Sequence, residues 1–254
     1  MKKVSLPLRR TIWSVCMGAF VLLILACSKS DKSGSGDPEK GYVTGTVTDP
    51  QGKPIGGASI VIDNTMIYNS NLLSNSNAEG KYKVKLAGNF TWMAYATFTK
   101  NYNGKTYKFH LHPDNNDGFT SSGAVRNFSW KLTGQRPESN TSFYGAWIQL
   151  QSAIGSPIMA EDVEFLFTPD GPLADGSTGQ NLTKRGGAPQ TYSYFKLMDI
   201  PMGRYKVKAK YMGRFLTLRN MITNESNYEI TLNFEPEIAL TGLVCDNCAV
   251  IEYQ

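Results

Sequence analysis

Apolar and polar residues alternate along several short segments of this chain. Residues 81–86 read KYKVKL, which places Tyr, Val and Leu between lysines, and residues 204–209 read RYKVKA. Neighbouring side chains of a β-strand point to opposite faces, so a period of two indicates a strand with one buried face. Similar segments follow at 92–111, 128–132 and 228–234, the first of them with an Asn-Gly turn typical of a hairpin. Because no helical apolar period follows residue 26, the pattern predicts an all-β fold.

The alternating segments belong to a longer template that occurs twice. When Pro54 is aligned with Pro157, the stretch Gly80–Lys85 falls on Gly203–Lys208 after a gap is allowed. The spacing from the proline to the tyrosine of the strand is 28 residues in the first copy and 48 in the second. The additional residues fall in the Gly- and Pro-rich segment 169–190, as expected when an insertion sits in a loop and spares the strands. The repeat therefore predicts two modules.

The first copy resembles a known domain family. GTVTDPQGKPIGGASIVID at residues 45–63, followed by EGKYKVKL at 79–86, resembles the carboxypeptidase regulatory-like domain, a transthyretin-like β-sandwich. Asp49–Gly52 supplies the tight turn that this pattern needs between its first two strands. The second copy resembles the family more loosely, through GSPI at 155–158 and IPMGRYKVKA at 200–209. The resemblance implies two tandem Ig-like or transthyretin-like β-sandwiches, a fold found mostly in accessory modules.

The N-terminus has the pattern of an export signal. Four basic residues precede the mostly apolar run 11–26, which at 16 residues is short for a membrane span. ILAC at residues 24–27 resembles a bacterial lipobox, which implies that Cys27 is lipidated and that the lipid bilayer is a partner. Ser28 after this cysteine resembles the pattern of lipoproteins exported to the outer membrane. The orientation, towards the periplasm or the cell surface, stays open.

A Ser- and Gly-rich tract follows Cys27 and is expected to be a flexible coil with a reach of roughly 20 Å. The chain is thus divided into a signal peptide at 1–26, a lipidated cysteine and flexible linker at 27–41, a carboxypeptidase regulatory-like β-sandwich at 42–134, and a second β-sandwich with a C-terminal hairpin at 142–254.

The charge of the chain comes largely from the signal segment. The formal net charge is +5, but four basic and no acidic residues precede Cys27, so the processed chain carries +1. A nucleic-acid-binding surface requires clustered basic residues. We therefore expect no nucleic acid among the partners.

Two cysteines remain besides the lipidated one once the signal segment is removed. Cys245 and Cys248 are too few for a structural zinc site, which needs four ligands. The segments around them have strand composition, whereas a thioredoxin-type pair requires a helix start. In an oxidising envelope we expect a structural disulfide, with Asp246 and Asn247 at the centre of a two-residue hairpin turn.

Catalytic and metal chemistry find little support in the sequence. His110 and His112 share the polar face of one predicted strand and are the weak candidates for a metal site, but Lys108 on the same face disfavours a cation. The run Asp114–Gly118 departs from the spacing of a calcium loop and is interpreted as a turn. No G-x-S-x-G motif occurs. We expect no cofactor, no metal and no enzyme activity, and an unrecognised paired-carboxylate enzyme remains a third alternative.

Aromatic residues near the insertion are the candidate binding residues. Tyr192 and Tyr194 could stack against sugar rings, although aromatic residues at period two more often belong to the core. The leading hypothesis is a membrane-anchored envelope lipoprotein that acts as a non-catalytic binding or accessory module, with carbohydrate as the first candidate ligand and an envelope protein as the second. The alternative is a structural spacer or assembly subunit that binds a partner protein through exposed strand edges.

Overall fold

The computed structural model describes residues 37–240 and 243–254, and the predicted signal peptide, Cys27 and most of the linker lie outside this range. The described part is an all-β protein with nineteen strands and one short 3-10 helix, Ala160–Asp162. No helix in this part is long and apolar enough to cross a membrane.

The first sandwich is a single eight-stranded sheet that wraps around its own core. Its strands are β1 (Tyr42–Thr48), β2 (Ser59–Asn64), β3 (Leu72–Asn75), β4 (Lys81–Lys85), β5 (Trp92–Tyr102), β6 (Lys105–Pro113), β7 (Ala124–Val125) and β8 (Phe128–Trp130). The order is β3-β2-β5-β6-β8-β1-β4, with β7 also paired to β1. β6 pairs with β5 along its first part and with β8 at its end, so it joins the two faces of the sandwich.

The second sandwich consists of two sheets. Its strands are β9 (Ala146–Ser152), β10 (Glu164–Pro169), β11 (Leu182–Lys184), β12 (Lys196–Ile200), β13 (Tyr205–Tyr211), β14 (Arg214–Leu216), β15 (Leu218–Asn220), β16 (Ser226–Asn227), β17 (Ile230–Leu232), β18 (Glu235–Leu240) and β19 (Leu243–Tyr253). One sheet has the order β11-β10-β13-β14 with β17 paired to β13. The other has the order β12-β9-β19-β15-β16 with β18 paired to β19.

The two sandwiches share one pairing scheme, although not in the alignment expected from the sequence. β1–β4, β2–β3, β2–β5 and the parallel pair β1–β8 correspond to β9–β12, β10–β11, β10–β13 and the parallel pair β9–β19. The Tyr205 strand, β13, is therefore the counterpart of β5, whereas the Tyr82 strand, β4, corresponds to β12. The alignment of Gly80–Lys85 with Gly203–Lys208 was wrong by one strand.

The alternating segments bury their apolar faces as predicted. In β4 the side chains of Tyr82 and Val84 are buried between exposed lysines, and in β13 Tyr205 and Val207 are fully buried. Most buried apolar side chains of both sandwiches form one continuous hydrophobic cluster, and a smaller second cluster consists of Ile238, Cys245, Cys248 and Val250. Gly36–Gln254 accordingly forms one compact unit. Among the described residues, however, the strands before residue 131 pair only with one another, and so do the strands after residue 145.

Hydrogen bonds from the β5–β6 hairpin fix the second sandwich against the first. The Tyr102 hydroxyl donates to the Pro172 carbonyl at 2.8 Å and accepts from the Arg204 backbone N–H at 3.1 Å. The Tyr107 hydroxyl, which is buried, donates to the Phe234 carbonyl at 2.7 Å. Lys105 and Glu235 form an ion pair beside it at 2.5 Å. We call these contacts of Tyr102, Lys105 and Tyr107 with the second sandwich the joint. The joint therefore combines buried and exposed contacts within one hairpin.

The chain enters and leaves the described structure far from this joint. β1 begins at Tyr42 and runs towards the second sandwich, and Gly41 donates its N–H to the Ser121 carbonyl at 3.0 Å. β19 ends beside the loop after β9, where the Ala153 N–H donates to the Tyr253 carbonyl at 3.0 Å. The beginning of β1 and the end of β19 thus lie at opposite ends of the two sandwiches.

Candidate functional site

A cleft of about 180 Å³ lies where the two sandwiches meet. It brings together segments that are far apart in the sequence: β6, the connection between the sandwiches, the start of β9, the loop before β12, and β19. The side chains that give it its chemistry are His110, Arg136, Tyr144, Trp147, Tyr192, Asp246 and Asn247. The cleft is mostly polar, with four aromatic residues in its wall, Phe143, Tyr144, Trp147 and Tyr192.

The connection between the sandwiches is held in place by a single carboxylate. Asp199 accepts hydrogen bonds from the Gly134 N–H at 3.0 Å and from the Gly145 N–H at 3.2 Å, so it joins both ends of the connecting loop. A Cβ at position 145 would lie 2.7 Å from the Asp199 carboxylate, so a side chain there would force the two apart. The wall of the cleft formed by residues 135–145 is thereby fixed against β12.

Tyr192 and Trp147 form the aromatic part of the cleft. Tyr192 is 55% exposed, and the ammonium group of Lys196 lies 3.9 Å from the centre of its ring and 5.3 Å from that of Trp147. Burial of the ammonium group lowers the pKa of Lys196 from its ordinary value. Cation–π contacts of this kind fix the orientation of both rings. Lys196 therefore acts as a spacer that holds an exposed aromatic side chain beside a half-buried one.

Polar groups of both signs converge on the same cleft. Arg136 is paired with Glu138 at 2.5 Å, and Asp246 is exposed at the edge. Asn247 donates through Nδ2 to the Lys108 carbonyl at 2.8 Å, whereas its buried Oδ1 has no hydrogen-bond partner among the described residues. An unpaired buried acceptor costs stability, and because Oδ1 is shielded from solvent, it is not itself exposed to the cleft.

The two histidines occupy different environments. His110 lies in the cleft, where burial first and the Arg136 charge second lower its pKa, against a smaller opposite effect of Glu138. A neutral imidazole offers one donor and one acceptor. His112 instead contacts the Tyr144 hydroxyl through Nδ1 at 3.0 Å. In residues 37–240 and 243–254 no group of three His, Cys, Asp or Glu side chains could hold a metal ion.

Cys245 and Cys248 are joined by a disulfide, but the turn expected between them is absent. Asp246 and Asn247 lie within β19, which pairs with β18 from Leu243 to Cys248. Three residues of extended strand span about 10 Å, whereas the two cysteine Cα atoms are 6.1 Å apart. The positive φ of 51° at Asn247 provides the kink that shortens this distance. The hairpin turn predicted at Asp246 and Asn247 was therefore wrong.

The structure separates the two tyrosines that the sequence grouped together. Tyr192 lines the cleft, whereas Tyr194 packs edge-to-face on Phe195 with 4.5 Å between ring centres and bridges to Gly187. Arg136, Trp147, Lys196 and Asp246 were missed as site residues. They come from four separate segments, and no local spacing in the sequence connects them. Cys27 lies outside the described residues.

Comparisons with known proteins place the chain in no family. No protein-family model and no curated protein matches the sequence. Three solved structures are similar to this chain over 83–84% of its length: the Bacillus anthracis TIE protein, a B repeat unit of the collagen binding surface protein of Staphylococcus aureus, and a C-terminal fragment of the pilus adhesin SpaC from Lactobacillus rhamnosus GG.

These three likenesses are distant. The sequence identities are 9%, 10% and 8%, and the TM-scores are 0.29, 0.23 and 0.24, respectively. The matched part is 32% of the Bacillus protein, 96% of the Staphylococcus repeat and 95% of the Lactobacillus fragment. This chain thus spans about a third of the length of the Bacillus protein. At these TM-scores the likenesses carry no argument, and the β-sandwich fold rests on the strand pairings described above.

Proposed function

We propose that this chain is the exported part of a lipid-anchored envelope protein and acts as a non-catalytic binding module for carbohydrate. The observation that carries the proposal is the cleft between the sandwiches. There an exposed aromatic ring lies next to hydrogen-bond donors and acceptors and to charged groups of both signs. Aromatic faces stack on the apolar face of a sugar ring, and polar groups at its rim bind the hydroxyls.

The lining of the cleft fits a small neutral ligand with many hydroxyl groups. Tyr192 offers a ring face, His110 a donor and an acceptor, and the exposed Asp246 a further acceptor. Arg136 is already paired with Glu138, and the ammonium group of Lys196 is engaged with the rings of Tyr192 and Trp147, so both cations already have partners. With about 180 Å³, the site has room for a terminal sugar unit.

The proposal that the chain is not an enzyme rests on how the polar side chains in the cleft are arranged. Nucleophilic catalysis requires a hydroxyl or thiol within hydrogen-bonding reach of a base. Thr141 and Ser142 also line the cleft, but among the described hydrogen bonds none joins either hydroxyl to His110. Asp246 is the one carboxylate among the residues that line the cleft, and the nearby Glu138 is held in an ion pair by Arg136, so they do not form the free pair that glycoside hydrolysis needs.

The assembly role, which is the alternative, requires a strand edge that another strand can join. β4 lies at the end of its sheet and exposes Lys81, Lys83 and Lys85. A row of like charges along an edge opposes the addition of a further strand. This edge therefore favours a binding module over a subunit that polymerises through β4.

The test is glycan binding by the soluble fragment from Ser28 to Gln254. We expect binding to a subset of glycans on an array, and at least a tenfold loss of affinity by calorimetry in Tyr192→Ala, because the stacking ring is removed. Tyr194→Ala, outside the cleft, and Tyr228→Ala, which is 60% exposed elsewhere, are matched controls and should bind normally. Absence of binding to every glycan, or an equal loss in the controls, would contradict the proposal.

A further inference from the structure

An apolar patch lies on the first sandwich, away from the cleft. Ten large hydrophobic side chains are exposed in the described part of the chain, and four of them fall within residues 66–73. Met66 is 66% exposed, Ile67 47%, Tyr68 99% and Leu73 74%. We call these four residues the apolar tip. Contiguous exposed apolar side chains mark an interaction surface, whereas single ones are common on any protein.

The loop that carries the apolar tip is held in one conformation. The buried Asn64 accepts hydrogen bonds through Oδ1 from the N–H groups of Met66 at 3.0 Å and Ile67 at 3.2 Å. Thr65 donates from its N–H and its hydroxyl to the Thr91 carbonyl, both at 3.0 Å. The exposure of the three side chains that follow is therefore built into the fold.

The apolar tip lies at the end of the sandwich where the chain enters from Cys27. β2 runs towards this end and β5 leaves from it, so the loop after Asn64 contacts Thr91 at the start of β5. Next to it, Trp92 pairs with Phe119, and Ser121 accepts from the Gly41 N–H, which precedes β1. The second sandwich is attached at the opposite end, through Tyr102 and Tyr107.

We propose that the apolar tip contacts the lipid bilayer, with Met66, Ile67 and Tyr68 inserted among the headgroups. The inference rests on the proposed acylation of Cys27. Cys27 is ten residues before Asp37, so a fully extended chain places the bilayer surface at most about 35 Å from the first described residue. Aromatic and aliphatic side chains on a rigid loop are typical of proteins that rest in the membrane interface.

The charged residues at this end of the sandwich determine whether the apolar tip is expected to prefer anionic or zwitterionic lipid. Lys40 and Lys85 are exposed there, but so are Asp114 and Asp117, and Glu39 is paired with Lys83 at 2.6 Å. With both signs present, electrostatic attraction to anionic lipid contributes little. We expect a contact with zwitterionic lipid that is weak without a tether and nearly independent of salt.

A tethered vesicle experiment tests the contact without depending on acylation in the cell. The fragment from Ser28 to Gln254 is given a hexahistidine tag in place of Cys27 and bound to phosphatidylcholine vesicles that contain a nickel-chelating lipid. Gly36–Gln254 forms one compact unit, so the fragment keeps its fold. With Cys245 and Cys248 disulfide-bonded, Tyr68→Cys introduces the single free thiol, to which the fluorophore NBD is attached. Ile154→Cys, at the far end of the second sandwich, is the matched control.

We expect the emission of NBD at position 68 to rise several-fold and shift to the blue on vesicles, and to be quenched by brominated lipid. The control at position 154 should show neither change. Equal responses at the two positions would overturn the proposal. A rise at position 68 that brominated lipid does not quench would show that another protein molecule covers the loop, and would also overturn it. Mass spectrometry of the exported chain tests acylation of Cys27 separately, so failure of the anchor and failure of the contact are distinguishable.

Discussion

At the scale of single residues, the hydroxyls of buried tyrosines donate to backbone carbonyls, in two of three cases far away in the sequence. Tyr82 donates to the Arg126 carbonyl at 2.6 Å, Tyr107 to Phe234 at 2.7 Å and Tyr205 to Pro201 at 2.8 Å. Burial of the hydroxyls raises the pKa of Tyr107 to about 12 and that of the other two further above their ordinary value. The alternation of apolar and polar residues predicted that these rings are buried. It could not identify the backbone carbonyls to which their hydroxyls donate.

The first prediction concerns Tyr82. Tyr82→Phe keeps the ring but leaves the Arg126 carbonyl without its donor in a buried place, so we expect the free energy of unfolding to fall by about 1–3 kcal/mol. Tyr68→Phe is the control, because Tyr68 is 99% exposed. Urea unfolding followed by fluorescence measures both. Equal stability of the two variants would show that the hydrogen bond from Tyr82 contributes nothing.

At the scale of elements, the repeat was predictable, but the correspondence of its strands was not. β4 and β13 have the same alternation because each buries one face, and alternation does not identify the neighbouring strand. β12, the true counterpart of β4, breaks the pattern with a bulge between Leu197 and Ile200 and a φ of 58° at Asp199. A strand interrupted in this way carries little sequence signal.

The second prediction concerns the disulfide in β19. Because it closes a loop of only a few residues, its reduction should lower the free energy of unfolding by no more than about 2 kcal/mol. The kink at Asn247 should nevertheless relax, and the amides of Asp246 and Asn247 should exchange faster with deuterium. Hydrogen exchange before and after treatment with dithiothreitol measures this, with the Cys245→Ala/Cys248→Ala variant as the control for the reductant. Unchanged exchange at both amides would be the contrary result.

At the scale of the whole molecule, the two sandwiches are joined by a continuous core and by the β5–β6 hairpin. The all-β class was predictable from local periodicity, and the sandwich fold was implied by the resemblance of the first copy to a known domain family. The cleft depends on how two modules pack, and such packing is set by contacts such as Tyr102 with Pro172 that no local pattern contains. Tyr192 could be proposed because of its position beside an insertion, whereas its neighbours could not.

The third prediction concerns cooperativity. With one compact unit and a buried hydrogen bond from Tyr107 across the joint, heat should unfold the two sandwiches in a single calorimetric transition. Tyr107→Phe should lower its midpoint by a few degrees, because a buried carbonyl in the second sandwich loses its donor. Two separate transitions in the unmodified chain would show that the sandwiches are independent.

The path of the last strand has a practical consequence. β19 passes the cleft and ends beside Ala153, at the end of the second sandwich that is turned away from the apolar tip. A fluorescent protein or an affinity tag fused after Gln254 would therefore project away from the cleft proposed to bind a ligand and from the apolar tip proposed to contact lipid. Such fusions should report on location in living cells without disturbing either surface.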